Sequence, residues 1–197
     1  MDNKLLNKLN NNEQVLGTFV EINGRGFIES LAHAGLDFCI IDAEHSPITS
    51  ESIETHVQTS LNHGLTPFVR IPEISRTSIL KSLDSGAQGL IIPFIETVDQ
   101  VKEIINLAKF SPLGNRGYCP TINTHFESLG LTYMEECNQT QLILPQCETL
   151  GAYQAIDEIV CLEGVDGIFV GPLDLSIALG VPFDLESNIL KEAILKS

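Results

Sequence analysis

The residues best suited to chemistry in this chain lie where apolar runs end. Phe38-Cys39-Ile40-Ile41 is followed at once by Asp42, Glu44 and His45, and then by Pro47. Four apolar residues in a row read as a strand buried on both faces, and the proline stops its continuation. Carboxylates and an imidazole at such an end can move protons or orient a water. Other apolar runs finish in the same way: Glu21, Arg70, Glu96, Gln146 with Glu148, and Asp174 after Gly171-Pro172 each follow one. Glu148 and Asp174 make a candidate metal pair. Two carboxylates suit a hard divalent ion such as Mg²⁺ or Mn²⁺, which keeps waters and takes substrate oxygens at its other positions. On the alternative reading, each of the two caps the helix after it. The planar fork of Arg70 matches a carboxylate bidentately, whether that of a substrate or that of a nearby acid. Glu44 has no assigned role beyond local packing or pairing.

These groups have to be positioned by the elements between them. Strands are predicted at Gly17–Ile22, Asp37–Asp42, Thr66–Ile71, Gly89–Phe94, Gln141–Gln146 and Gly167–Val170. An amphipathic segment precedes the first. Helices are predicted near Phe27–Ala34, from Thr49 or Ser50 to about His63, and at Ser75–Leu83, Thr97–Lys109, Leu129–Asn138, Leu150–Val160 and Ser187–Leu195. In the fourth of these, Val98, Val101, Ile104, Ile105 and Ala108 recur at the helical period. Strands alternating with helices imply a parallel sheet, either doubly wound or closed into a barrel. In a barrel all strand C-termini meet on one face, so distant polar residues converge there. One decoy intervenes: Gly24-Arg25-Gly26 opens a helix after a strand, as in dinucleotide-binding folds, but Glu29 stands where the third glycine belongs. A bulky anion there opposes both helix–strand packing and a pyrophosphate.

Composition narrows the function further. At 197 residues the chain suits one domain, expected to span 1–197. The net charge of −15, with only 11 Lys and Arg, excludes nucleic acid as a natural partner. No apolar run is long enough to span a bilayer and the N-terminal stretch is polar, so no membrane role and a cytoplasmic location are expected. The five cysteines have no paired spacing, which fits free thiols, and three lie in apolar surroundings.

Several motifs, in order, resemble one family. They are Ile41-Asp42-Ala43-Glu44-His45-Ser46-Pro47, Phe68-Val69-Arg70-Ile71-Pro72, Leu90-Ile91-Ile92-Pro93, Gln146-Cys147-Glu148-Thr149 and Gly167-Ile168-Phe169-Val170-Gly171-Pro172-Leu173-Asp174-Leu175-Ser176. Ser111-Pro112-Leu113-Gly114-Asn115-Arg116-Gly117 adds a matching loop. The chain resembles the metal-dependent class II pyruvate aldolases that act on 4-hydroxy-2-oxoheptanedioate and 2-dehydro-3-deoxyglucarate, within the phosphoenolpyruvate/pyruvate superfamily. The resemblance implies a (β/α)₈ barrel and a lyase that makes or breaks a C–C bond between pyruvate and an aldehyde, acting on 4-hydroxy-2-oxo acids. It implies a divalent metal, Mg²⁺ or Mn²⁺, on Glu148 and Asp174, with Arg70 stabilising the enolate. Gln146, Gly171, Pro172, Leu173 and Asp174 would bind the small 2-oxo acid, the last two through backbone N–H groups. His45, supported by Asp42, would handle the proton. Asp84 would enter from a neighbouring subunit of a homo-oligomer, a hexamer in that family.

Two expectations qualify this reading. Only about six βα units are present, so a barrel truncated at its C-terminal strands is expected, with two open edges and reduced stability and activity. Thr18-Phe19-Val20-Glu21-Ile22-Asn23 and Tyr118-Cys119-Pro120 also resemble the aldolase-like citrate synthases of siderophore biosynthesis, which join oxaloacetate to an acyl-CoA. A non-catalytic paralogue is the remaining alternative.

Overall fold

A computed structural model describes residues 3–197. Six parallel strands pair in chain order: β1 (Gly17–Val20), β2 (Phe38–Asp42), β3 (Thr66–Arg70), β4 (Gly89–Ile92), β5 (Leu142–Cys147) and β6 (Phe169–Val170). Helix α1 (Lys4–Asn10) precedes the sheet. The crossovers carry α2 (Arg25–His33), α3 (Ser50–Asn62), α4 (Arg76–Asp84), α5 (Val98–Ala108), α6 (Gly130–Thr140), and then α7 (Leu150–Gln154) with α8 (Ile156–Ile159). Two further helices follow β6, α9 (Pro172–Ala178) and α10 (Asn188–Lys196).

The strand residues sort by the two-residue period into two cores. Ile40, Phe68, Ile91 and Leu142 point to the concave side, where Leu5 of α1 joins them. Their neighbours Cys39, Ile41, Val69, Leu90, Ile92 and Ile143 point outward onto the helices. Each of these fully buried aliphatic side chains contributes about 1.5–3 kcal/mol, so the helical layer and the sheet hold each other. The sheet curls enough for its first and last strands to touch: Phe19 and Phe169 meet edge to face, 5.9 Å between ring centroids. The result is a curled half-barrel, and the convex side carries the helices. Gly89 is required by this curvature, because a Cβ there would run into the Phe68 ring.

The helices begin where side chains satisfy their first N–H groups. Thr49, Ser75, Thr97 and Thr149 cap α3, α4, α5 and α7, and Thr97 forms a reciprocal capping box with Gln100. Val101, Ile104, Ile105 and Ala108 form the buried stripe of α5, as their spacing predicts. The expected helix from Leu150 to Val160 is instead two short pieces, interrupted at Ala155 with φ −94° and ψ 6°. The expected strand from Gly167 shortens at its start to Phe169–Val170 and ends at Val170 as expected, with Pro172 opening α9 just beyond it. Glu21 and Ile22 likewise lie past the end of β1. Cys39, Cys137 and Cys147 are buried, Cys119 and Cys161 exposed, and all five thiols are free. No helix among the described residues is long and apolar enough to cross a membrane.

Candidate functional site

The parallel register sets Asp42 directly beside Arg70 at the C-terminal ends of β2 and β3. Their side chains join bidentately, Nε to Oδ1 at 2.9 Å and Nη2 to Oδ2 at 2.6 Å. The guanidinium also lies over the Phe19 ring, 4.8 Å from its centroid. Asp42 Oδ1 accepts the backbone N–H groups of Glu44 (3.0 Å) and His45 (3.3 Å), and the Ser46 hydroxyl bonds to the Asp42 carbonyl. The turn after β2 is therefore wound around this one carboxylate. Burial alone would push the Asp42 carboxyl up. The Arg70 fork and the two N–H donors outweigh it and hold the group below its ordinary value. For Arg70, burial opposes the charge and Asp42 more than restores it.

Next along the turn, the Glu44 carboxylate lies 3.4 Å from Arg70 Nε and 3.6 Å from His45 Nε2. Its Oε2 is buried without a hydrogen-bond partner. Burial pushes the Glu44 carboxyl up, against the pull of Arg70 and His45. The His45 ring is 67% exposed and stands at the mouth. Asp42 thus supports His45 through its amide, while the ring faces Glu44.

On the opposite rim, Glu148 follows β5. Its Oε1 accepts the Phe94 N–H at 2.6 Å, and its Oε2 accepts the Gln146 side-chain amide. Phe94 adopts φ 55°, a left-handed conformation that costs an aromatic residue roughly 1–3 kcal/mol. That conformation aims its N–H at Glu148. Burial pushes the Glu148 carboxyl up; the Phe94 N–H opposes this and the charge of Asp174 adds to it. Gln146 Oε1 is buried with no hydrogen-bond partner. The capping alternative fails for Glu148, because Thr149 Oγ1 caps α7 by accepting the Ala152 N–H at 2.9 Å. Asp174 sits in the first turn of α9 and makes no side-chain cap bond. Gly171 permits the close approach of β6: a Cβ there would stand 2.9 Å from Gln146 Nε2 and 3.0 Å from Glu148 Cβ.

These groups surround two adjoining hollows. One, about 370 Å³, is lined by Glu44, His45, Phe94, Glu148 and Asp174 among others. The second, about 260 Å³, includes Arg70, Gln146, Gly171, Pro172, Leu173 and Asp174. Asp174 borders both. Asp84 lies elsewhere in this chain, at the end of α4, bonded at 2.8 Å to Arg116 and facing a separate hollow with Lys81 and Thr121. Arg116 is in turn held by Gln141 at 2.7 Å and stacked on Phe110.

Among the described residues no cluster of three or more His, Cys, Asp and Glu side chains is gathered as a metal cage. The donor set nonetheless fits a hard cation: two carboxylates on one cleft, one of them pushed up by burial, beside Gln146 Oε1 and Glu44 Oε2, two buried acceptors without a hydrogen bond, the second in ion-pair contact with Arg70 and His45.

Residues 16–194 match the HpcH/HpaI aldolase/citrate lyase family. The chain belongs to that family. It is therefore a member of a family of carbon–carbon lyases. A 2-keto-3-deoxy-L-rhamnonate aldolase from Escherichia coli is 32% identical over 183 residues, covering 92% of this chain and 68% of the relative. A crystal structure of an HpcH/HpaI aldolase from Desulfitobacterium hafniense DCB-2 superposes with a TM-score of 0.91 at 34% identity, covering 98% of this chain and 75% of that one. The structure of citrate synthase SbnG follows at 0.89 and 30%, covering 98% and 76%.

Glu44, expected from the sequence to pack or pair locally, does so with Arg70 and His45. Phe94 escapes a reading of the sequence, because it acts through a backbone N–H, which residue type does not reveal.

Proposed function

We propose that the protein is a metal-dependent aldolase that forms or cleaves the C–C bond between the enolate of pyruvate and an aldehyde, acting on 4-hydroxy-2-oxo acids. The observation that carries this reading is the excess of buried acceptor oxygen without a hydrogen bond beside Glu148, with a guanidinium on the facing strand end. Glu148 and Asp174 would hold Mg²⁺ or Mn²⁺, which supplies positive charge to the oxygens of a 2-oxo acid. In the cleavage direction, a base takes the proton of the C4 hydroxyl. The C3–C4 electron pair then moves toward C2, and its oxygen gains charge. Arg70 commits Nε and Nη2 to Asp42, leaving the Nη1 edge for that oxygen. Gln146 lines the same hollow and would contact the 2-oxo acid there. In the first turn of α9, the N–H groups of Leu173 and Asp174 precede the helical hydrogen-bond ladder and suit the substrate carboxylate. His45, at the open mouth beside Glu44, carries the proton. Asp84 would act in a neighbouring copy of a cytoplasmic homo-oligomer built from this single barrel-type domain.

The SbnG similarity favours one second reading, citrate synthase chemistry on the same scaffold. Pyruvate release from a 4-hydroxy-2-oxo acid, assayed with and without EDTA, separates the two when run beside thiol release from acetyl-CoA and oxaloacetate. The aldolase reading expects EDTA-sensitive pyruvate release. EDTA-insensitive thiol release without pyruvate release would sink it.

A further inference from the structure

The larger hollow mixes apolar and acidic lining. Phe94, Leu150 and Ile177 line it and keep 67%, 45% and 50% of their surface exposed. Glu44, Glu96, Glu148 and Asp174 line it as well, with His45 at its mouth. No Lys or Arg is among the described residues that line it. Arg70 faces the adjoining hollow and is bound to Asp42. Even with a divalent cation on Glu148 and Asp174, a bound 2-oxo acid contributes a further carboxylate. Glu44 then has only its contacts with Arg70 and His45, and Glu96 has no ion pair among the described residues.

The apolar lining is built rather than loose. The loop carrying Phe94 and Glu96 is tied at three points: Glu148 accepts the Phe94 N–H, Thr149 Oγ1 bonds to the Ile95 carbonyl, and Gln100 Oε1 accepts the Glu96 N–H at 2.8 Å. Gly151 lets α7 lie flat against the same loop, since a Cβ there would collide with the Glu96 carbonyl oxygen. A ring held at positive φ with its face open to a cleft is a preorganised apolar surface.

On the aldolase reading above, we propose that this cleft is the acceptor-aldehyde subsite and that it selects uncharged aldehydes with an apolar chain over aldehydes bearing a distal carboxylate. The chain packs on Phe94, Leu150 and Ile177. A distal anion would meet Glu96 with no cation to pair with, and an unpaired like charge is strongly disfavoured.

A matched pair of acceptors tests this with the full chain loaded with Mn²⁺ and pyruvate as donor. Butanal and 4-oxobutanoate have the same carbon count and differ in the terminal carboxylate. The expected kcat/KM ratio favours butanal by at least about tenfold, the scale at which one such pocket contact discriminates. Glu96→Lys should shift that ratio toward 4-oxobutanoate by about tenfold, with Glu96→Gln intermediate, and Ile177→Ala should lower it through loss of butanal. Because each ratio is taken within one variant, a general loss of activity cancels. Equal or better use of 4-oxobutanoate by the wild type, or a ratio that Glu96→Lys leaves unmoved, overturns the proposal. Exchange of the pyruvate methyl protons in D₂O is read in parallel without any aldehyde. Exchange with the wrong acceptor preference overturns the acceptor assignment alone, whereas no exchange sinks the aldolase reading and the preference with it.

Discussion

The two rims of the cleft carry the same kinds of residue and treat them differently. On the β2–β3 rim, Asp42 and Arg70 close on each other, and the remaining lone pairs of Asp42 are taken by the amides of its own turn. Charge, hydrogen bonds and burial balance for that pair, while Glu44 in the same turn keeps a buried Oε2 without a hydrogen-bond partner. On the β5–β6 rim, Glu148 is buried and makes no direct ion pair among the described residues, the charge of Arg70 only partly offsets that burial, Asp174 adds like charge, and Gln146 Oε1 has no hydrogen-bond partner. Lys109, near the other end of the sheet, shows that the fold can satisfy a buried charge when nothing else is asked of it: its ammonium bonds the Gln141 and Asn138 carbonyls at 2.6 and 3.0 Å and Asp166 at 3.3 Å. The imbalance on the β5–β6 rim therefore marks where something external completes the electrostatics, while the β2–β3 rim is the fixed frame it works against.

The contrast can be broken from either side. Arg70→Ala should have the largest effect on stability, a loss of about 3–5 kcal/mol in urea unfolding, because it leaves the Asp42 carboxylate buried and unpaired. A loss below about 1 kcal/mol, the level of an exposed pair, would mean that this rim is not the closed one. On the other rim, Mn²⁺ at a hundredfold excess over its Kd should stabilise the wild type by about 2.7 kcal/mol, read as a rise in unfolding midpoint. Glu148→Gln should abolish that rise, and its survival would remove Glu148 from the metal site. The smallest effect concerns acid. Asp42 has its folded pKa below the ordinary value of 3.8, so the stability it contributes is present above that value and is lost as pH falls through the folded one. Asp42→Asn should therefore flatten the decline in stability below about pH 4, followed by circular dichroism; an unchanged acid limb would contradict the balance assigned to this rim.

Most of the architecture was legible because it rests on period and punctuation. The apolar runs around Ile40, Phe68, Ile91 and Ile143 could only be buried strands, and the Thr-capped helices between them left a parallel sheet as the consistent answer. The misjudged segments are those where local signals compete. Gly167 and Ile168 open an apolar run yet lie before β6 begins, and Ala155, the best of helix formers, sits at the break between α7 and α8. Of the site, the residues themselves were visible as polar punctuation after strands, but their partnerships were not. Arg70 could have faced a ligand or an acid; the ladder register, a tertiary fact, gave it to Asp42. The donor that holds Glu148 is a main-chain amide 54 residues away in the chain, and no side-chain pattern encodes it.

The register that joins Asp42 to Arg70 also bears on how the chain finds its fold. Strands with apolar residues on both faces discriminate weakly against sliding by two residues, since one aliphatic side chain replaces another. A slide of β3 along β2 would strand the guanidinium among aliphatic neighbours and leave the carboxylate buried alone. The ion pair thus favours the native alignment over a slipped one, so the same contact that frames the cleft also sets the register of the strands that carry it.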